Sequence, residues 1–491
     1  MTISIIGSSF SGLVATLFFV SKGQKPNLFD SGTDKPDIDI EHFEEGTYKG
    51  KNPLDISKFN HNRKYFKLPE KVNYFFADGV NVRPTYVKGG FSSLWGGSTQ
   101  AFPNHLRQNW IKDKNLWTDA ELFLEEIFPI IENSQIPDGN LKKDSEIINK
   151  ELTNPFYIVS NLLEHQIEIK DSKVAVSFRS LEYLPNRIRG VEKYIKKFDT
   201  KSIIDDLHSR QLINYFPNHT LREFNEIDRK VKLVFEIDGV KSIKYTEKLF
   251  IGAGIISTSK ILLDSGLHSE IRIKDTQLFY MPSFRFRTNK MNFRKNENIF
   301  FPSVFITIRK KFNTEIFYQF YPMNKLMRER INILIPRALR FFEPFLRSPL
   351  KRFGVLFGYL PANKSGSVRL ANDDNNITKV QVVSKPTFYF SFKLKIITIL
   401  SFLKIGVLPF PFLTRFAGIG ESYHMGASTF LDSTGIEREV SNEDGLLFDH
   451  TNVYVIDSSS LSHLEPGPIT YEVMLNAIRI IMNATNESTT N

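Results

Sequence analysis

The sequence predicts an α/β chain with a Rossmann-like part of parallel-type strands and a second α+β part built on an antiparallel sheet. Three observations lead there. The chain opens on a short apolar strand, a glycine turn and an apolar helix. Two more apolar strands, near residues 249–252 and 453–456, run directly into loops of small or acidic residues. Between 284 and 370 the composition turns β-rich, in "FRFRT", "SVFITIRK", "EIFYQFYP", "VLFGYLP" and "SVRL". At 491 residues the chain is also too long for one ordinary core, so two interleaved units are the natural reading.

The first element is the apolar run Ile3 to Ile6, patterned like a buried parallel strand. Gly7-Ser8-Ser9-Phe10-Ser11-Gly12 follows, then the apolar stretch Leu13 to Val20, a stop at Lys22-Gly23, and a second strand, Asn27-Leu28-Phe29, that closes on Asp30. Strand, tight turn, helix, strand and acid in this order suit a dinucleotide. Gly7 permits the turn and Gly12 lets the helix approach the strand. The helix N-terminus offers free N–H groups to a pyrophosphate, and Asp30 stands where a carboxylate can bind ribose hydroxyls. Ser9 replaces the middle glycine of the Rossmann-like fingerprint. The position of this motif at the chain start suggests a flavoprotein. It also explains "LVATLFFV" better than a signal-peptide core does, since no basic residue precedes it.

Gly89-Gly90-Phe91-Ser92-Ser93-Leu94-Trp95-Gly96-Gly97 holds four glycines in nine residues. That is a loop whose backbone can approach a flat ligand. In "LFIGAGIISTSKILLDSG" a strand meets Ala253 and Gly254 before an amphipathic helix capped by Gly266. Upstream, "LINYFPN", "HTLREF" and "VKLVFEIDG" read as a strand and a small β-meander. Near the C-terminus Val453 to Ile456 is another parallel-type strand, ended by Asp457. Pro468-Ile469-Thr470 then starts a helix over about Ile469 to Ile481, its N–H groups aimed at a ligand.

Together these segments resemble the glucose–methanol–choline (GMC) oxidoreductases. The marks are the fingerprint Gly7–Gly12 with Asp30, the Gly89–Gly97 segment, the Gly252–Gly266 segment and the Asn452–Thr470 segment, in family order and spanning nearly the whole chain. The form "GGFSSLWGG" is similar to the branch of bacterial sugar or polysaccharide oxidoreductases. The resemblance implies FAD bound in a Rossmann-like domain of the GMC and p-hydroxybenzoate-hydroxylase type, assembled from 1–135, 190–266 and 420–491. A substrate domain, 136–189 and 267–419, would place its antiparallel sheet over the flavin. The cofactor residues so implied are Gly7, Ser9, Phe10, Ser11, Gly12, Asp30, Gly89, Gly90, Ser92, Ser93, Leu94, Trp95, Gly96, Gly97, Ala253, Gly254, Asp457, Pro468, Ile469 and Thr470. Leu94 holds the place where some members attach FAD through a histidine, and the chain has no cysteine, so the FAD would be non-covalent.

The family's base is a histidine in a His-x-x-Gly-Thr setting, which His424-Met425-Gly426-Ala427-Ser428 fits with Ala427 in place of the Gly and Ser428 in place of the Thr. Its second active-site residue, a His or Asn, falls on Gly467, and the separation of 467 − 424 = 43 keeps the register. One polar partner is therefore missing, with His463, Glu465 and Tyr423 as nearby substitutes. The implied reaction is oxidation of a CH–OH group of a sugar or other alcohol, by hydride transfer to flavin N5 with His424 as base. Two other readings stay open: a flavoprotein without net redox, such as a sugar mutase or isomerase, and a degenerate membrane-associated FAD-binding protein. The electron acceptor is open among oxygen, quinone and protein.

The absence of cysteine removes disulfides, thiolate metal sites and iron–sulfur clusters, and no histidine pair has metal-ligand spacing, so no metal is expected. It also suits a reducing, cytoplasmic setting. The net charge of +10 belongs to a solvated basic surface, and no nucleic-acid module accompanies it. Basic and apolar residues interleave over 325–352 and again in the apolar segment 394–413, where prolines and Lys404 argue against a membrane span. These two segments form either an access lid or a peripheral membrane contact. In the latter case a lipid-linked or membrane-presented glycan becomes a substrate candidate.

Overall fold

The computed structural model describes residues 1–32, 74–77, 80, 82, 84–93, 98–99, 114–128, 130–132, 165–171, 173–175, 200–286, 304–310, 313–322, 352–386, 392–404, 406–432 and 434–486. Its centre is a five-stranded, wholly parallel sheet in the order Val453–Val455, Lys248–Ile251, Ile3–Ile6, Asn27–Phe29, Asn214–Phe216. These strands are near-continuous apolar runs because both faces are covered. Ile5, Leu28, Phe250 and Tyr454 point to one core, shared with the helices Phe10–Ser21, Lys114–Ile127, Thr200–Ser209 and Thr470–Asn486. Ile6, Phe29, Ile251 and Val455 point to the other. There they meet the meander Thr220–Ile227, Lys230–Ile237, Val240–Thr246 and the helix Ile255–Asp264. The stretch "LVATLFFV" is the interior of the first helix, and Leu13, Val14, Ala15, Phe18 and Phe19 are buried there.

A seven-stranded antiparallel sheet stands apart from the parallel one. Its path runs Val407–Pro409, Leu278–Arg285, Phe353–Tyr359, Asn313–Pro322, Val304–Lys310, His165–Asp171, with Arg415–Phe416 also paired to Leu278–Arg285. Its packing is tight: a Cβ on Gly358 would lie 2.0 Å from the Phe279 ring. Of the five β-rich segments of the sequence, the described parts of "SVFITIRK", "EIFYQFYP" and "VLFGYLP" fall in this sheet, with Phe284 and Arg285 of "FRFRT". "SVRL" does not. Ser367–Asn372 belongs to a six-stranded sheet with Glu437–Glu439, Met425–Leu431, Glu270–Asp275, Thr378–Ser384 and Tyr74–Phe76. Val368 and Leu370 alternate inward there, onto the core under the parallel sheet. The last helix is longer than its apolar pattern suggested, Thr470–Asn486 rather than about 469–481.

Of the two basic, apolar segments, 325–352 lies outside the described residues except for Arg352. The other folds as the helix Phe392–Lys404, the strand Val407–Pro409 and the single turn Pro411–Leu413. No helix among the described residues is long and apolar enough to cross a membrane.

Candidate active site

The N-terminal turn is shaped by what its glycines exclude. Gly7 has φ +96°, and a Cβ there would meet Gly252 O at 2.4 Å. A Cβ on Gly12 would meet Gly7 O at 1.8 Å, so the helix can lie on the strand only with glycine at this position. Ser9 is the N-cap residue, yet its side chain makes no cap hydrogen bond and no acid stands in the first turn. The helix end is therefore left for an anion.

Ser8, which the motif reading passed over, ties this turn to its surroundings. Its hydroxyl donates to Asp30 Oδ2 and accepts the Gly89 N–H at 2.7 Å. Asp30 also accepts from Gly32 N at 3.0 Å and from Tyr215 Oη at 3.4 Å. Burial holds its carboxyl above the usual value, against these donors and Lys88. Ser92 Oγ donates to Gly89 O at 2.7 Å, and Thr200 Oγ1 donates to Ser8 O at 2.8 Å. Gly89 and Gly90 have φ +82° and +55°, and a Cβ on Gly90 would press on Ser9 Cβ at 3.0 Å. The second glycine segment is thus pinned against the first. Ser93 is described in its backbone only, and Leu94, Trp95, Gly96 and Gly97 lie outside the described residues.

Between these elements runs an open cleft with a cavity volume of about 160 Å³. Gly7, Ser8, Ser9 and Asp30 line one part, with Gly90, Phe91, Ala253 and Gly254 beside them. His219 and Leu221 of the meander edge add to it, and Tyr423, Met425 and Ser458 line it further on. Phe10, Ser11, Gly12, Gly89 and Ser92 are not part of this lining, nor are Pro468, Ile469 and Thr470. Asp457 is not part of it either. Its buried carboxylate accepts from Thr258 Oγ1, from Gly254 N at 2.9 Å and from Ser459 N at 2.9 Å, with burial raising its pKa. It joins the glycine loop after one parallel strand to the loop after its neighbour. No His/Asp/Glu group among the described residues could hold a metal ion.

His424 sits at the head of Met425–Leu431, a strand of the six-stranded antiparallel sheet. Its neighbours Tyr423 and Met425 line the cleft, while its own ring stacks on Tyr359 of the seven-stranded sheet, centroids 5.0 Å apart. Nδ1 is buried and has no hydrogen-bond partner among the described residues. Burial lowers the imidazole pKa to about 4, which leaves it neutral at pH 7.

The turn that presents this histidine hangs on Asp275, a residue with no local motif. Asp275 accepts from Gly420 N at 2.8 Å and from Ser422 Oγ at 2.6 Å, and Ser422 Oγ accepts the His424 N–H at 2.9 Å. Thr276 Oγ1 donates to His424 O at 3.0 Å. Tyr423 has φ +56°, an uncommon value for a non-glycine residue, and its ring leans on Phe91 at 5.0 Å. The small residues after His424 also have a physical cause. A Cβ on Gly426 would meet Ser458 O at 2.7 Å and Leu464 Cδ2 at 2.8 Å. Ala427 packs with Leu461, Leu464 and Ile469. The strand of His424 therefore lies directly on the loop that carries Gly467.

Gly467 is buried with φ +123°, a conformation that L side chains rarely adopt. The backbone at this position is built for glycine, so the missing polar group is more than a side-chain swap. In the same loop His463 Nε2 lies 2.9 Å from Glu465 Oε1. His463 is half-exposed, and Glu465 is buried.

The fold defines a class: a mixed α/β protein that joins a five-stranded parallel sheet to antiparallel sheets of six and seven strands. Among solved structures the chain is similar in fold to pyridoxine 4-oxidase from Mesorbium loti, at 12% identity, with 99% of each chain covered and a TM-score of 0.60. No family model matches the chain, and no curated protein matches it in sequence.

Proposed function

We propose that this chain is an FAD-dependent oxidoreductase acting on a CH–OH group of a sugar or other small alcohol, with His424 as the base. One observation carries the reading: a single cleft runs from the glycine turn and Asp30 to the residues flanking a buried, neutral histidine. The chain's residues fit the cofactor. Gly7 and Gly90 let the segments that line the cleft lie close together, and the first helix presents an end free of acid. Asp30 faces the cleft on the side of the meander, where a ribose would lie. FAD would be held non-covalently, by a unit drawn from 1–135, 190–266 and 420–491, and when bound it would supply the two-electron acceptor.

The remaining chemistry belongs to the protein. His424 takes the hydroxyl proton on a ring nitrogen, and Tyr359 holds the ring plane. Asp275 and Ser422 fix the turn below it. With glycine at 467, a second contact to the hydroxyl would come from elsewhere, with His463 or Glu465 as the nearest charged candidates in that loop. The same glycine supports a second reading, a flavoprotein without net redox such as a sugar mutase.

Anaerobic mixing of the flavin-loaded protein with a panel of alcohols, sugars and nucleotide sugars separates the two. Oxidoreductase chemistry predicts bleaching of the flavin by at least one alcohol. His424→Ala should then slow bleaching by ~10²–10⁴-fold while flavin stays bound. Unchanged bleaching in that variant would remove His424 as the base.

A further inference from the structure

We propose that the turn Pro411–Leu413, with the N-terminal end of the helix Phe392–Lys404, docks on an anionic lipid bilayer. This goes beyond the chemistry of the cleft. Phe412, Leu413 and Phe392 are 73%, 64% and 71% exposed. The elements that carry them form one patch, because Lys395, one turn along the helix from Phe392, places Nζ 4.9 Å from the centroid of the Phe412 ring. Arg415 is exposed, and Phe416, 40% exposed, continues the patch. Large apolar side chains clustered at this exposure, flanked by cations, are the composition of an interfacial membrane element.

The patch is presented rigidly. Val407–Pro409 and Arg415–Phe416 both pair with Leu278–Arg285, so the intervening turn is clamped at both ends to one strand. Phe410 N donates to Pro282 O at 2.9 Å, and the Phe416 ring packs on Phe279 at 5.5 Å. A clamped turn loses little conformational freedom on docking.

Charge selects the occupant. Residues 277–420 hold 24 Lys and Arg against six Asp and Glu, a net of +18. Subtracted from the totals of 64 and 54, this leaves 40 and 48 elsewhere, a net of −8. The chain's whole positive excess therefore lies in the region that carries the patch, and residues 375–420 contain no acid at all. Two copies of a region this basic repel each other. An anionic membrane answers both the charge and the projecting phenylalanines, the two signals that stable peripheral binding requires.

Vesicle sedimentation of the full-length, flavin-loaded protein tests this. Binding is expected to vesicles of phosphatidylcholine with phosphatidylglycerol, and not to phosphatidylcholine alone. Phe412→Ser with Leu413→Ser should weaken it at least ~10-fold, with flavin content and melting midpoint unchanged. Should that variant fold poorly, the absence of native cysteine allows a single Leu413→Cys labelled with an environment-sensitive dye, whose emission should rise only with anionic vesicles. Three outcomes overturn the proposal: no sedimentation with anionic vesicles, equal sedimentation of wild type and the double variant, or a dye insensitive to vesicles. A patch that instead holds two copies together, seen as a mass halved by the double variant without vesicle binding, overturns it too.

Discussion

A histidine that takes a proton from an alcohol must be neutral when the alcohol arrives. Burial, which lowers His424 to about 4, meets that need across the neutral range. Asp275 titrates higher. Burial raises its carboxyl to about 6, against the donors Ser422 and Gly420. Above that pH the carboxylate is charged and draws in both donors; below it the charge is lost and the turn that presents His424 loosens. Flavin reduction should therefore decline on acidification with a midpoint near 6, and Asp275→Asn should abolish that limb, leaving the lower one of His424 near 4. Rapid-mixing pH profiles of both proteins check this, and a limb near 6 that survives in the Asn variant refutes it. The stability signs oppose each other. The folded value of Asp275 lies above its unfolded 3.8, so its contribution is full below 3.8 and is lost as pH rises through about 6. The folded value of His424 lies below its unfolded 6.5, so its contribution is present above 6.5 and is lost as pH falls toward about 4.

At the scale of elements, the strand–turn–helix at the N-terminus was legible because each part is specified locally: apolar run, glycine, apolar helix, acid. The clearance behind Gly12 makes a sharp prediction. Gly12→Ala, its Cβ 1.8 Å from Gly7 O, should cost at least ~1–3 kcal/mol in urea unfolding and lower the flavin bound per chain. Gly23→Ala meets nothing within 4 Å and carries only the strain of φ +71°, so it should cost about 1 kcal/mol and leave flavin content intact. What the sequence hid were contacts between elements far apart along the chain. Asp457 ends a parallel strand, and its carboxylate is held by Thr258 and Gly254, some 200 positions away. Asp275, Ser8 and Tyr359 acquire their roles the same way, through Ser422, Gly89 and His424. "SVRL" shows a related gap: strand alternation gives two faces but not the sheet that will receive them.

At the scale of the molecule, the parallel sheet closes only when residues near 3, 28, 215, 250 and 454 have met, so the cleft depends on segments far apart in the chain. The last helix completes that closure. Met474, Leu475, Ile478 and Ile481 are fully buried against the core they share with Phe10, Leu13 and Phe18 of the first helix, whose N-terminus faces the cleft. A cavity opened under the last helix should therefore be felt at the cofactor, although Ile478 does not line the cleft. Ile478→Ala should cost ~2–5 kcal/mol. Flavin release and loss of secondary structure should then share one denaturant midpoint, shifted to lower urea, because the same helices support both. A variant that unfolds at lower urea but releases flavin at the wild-type midpoint would show that the cleft stands without the last helix.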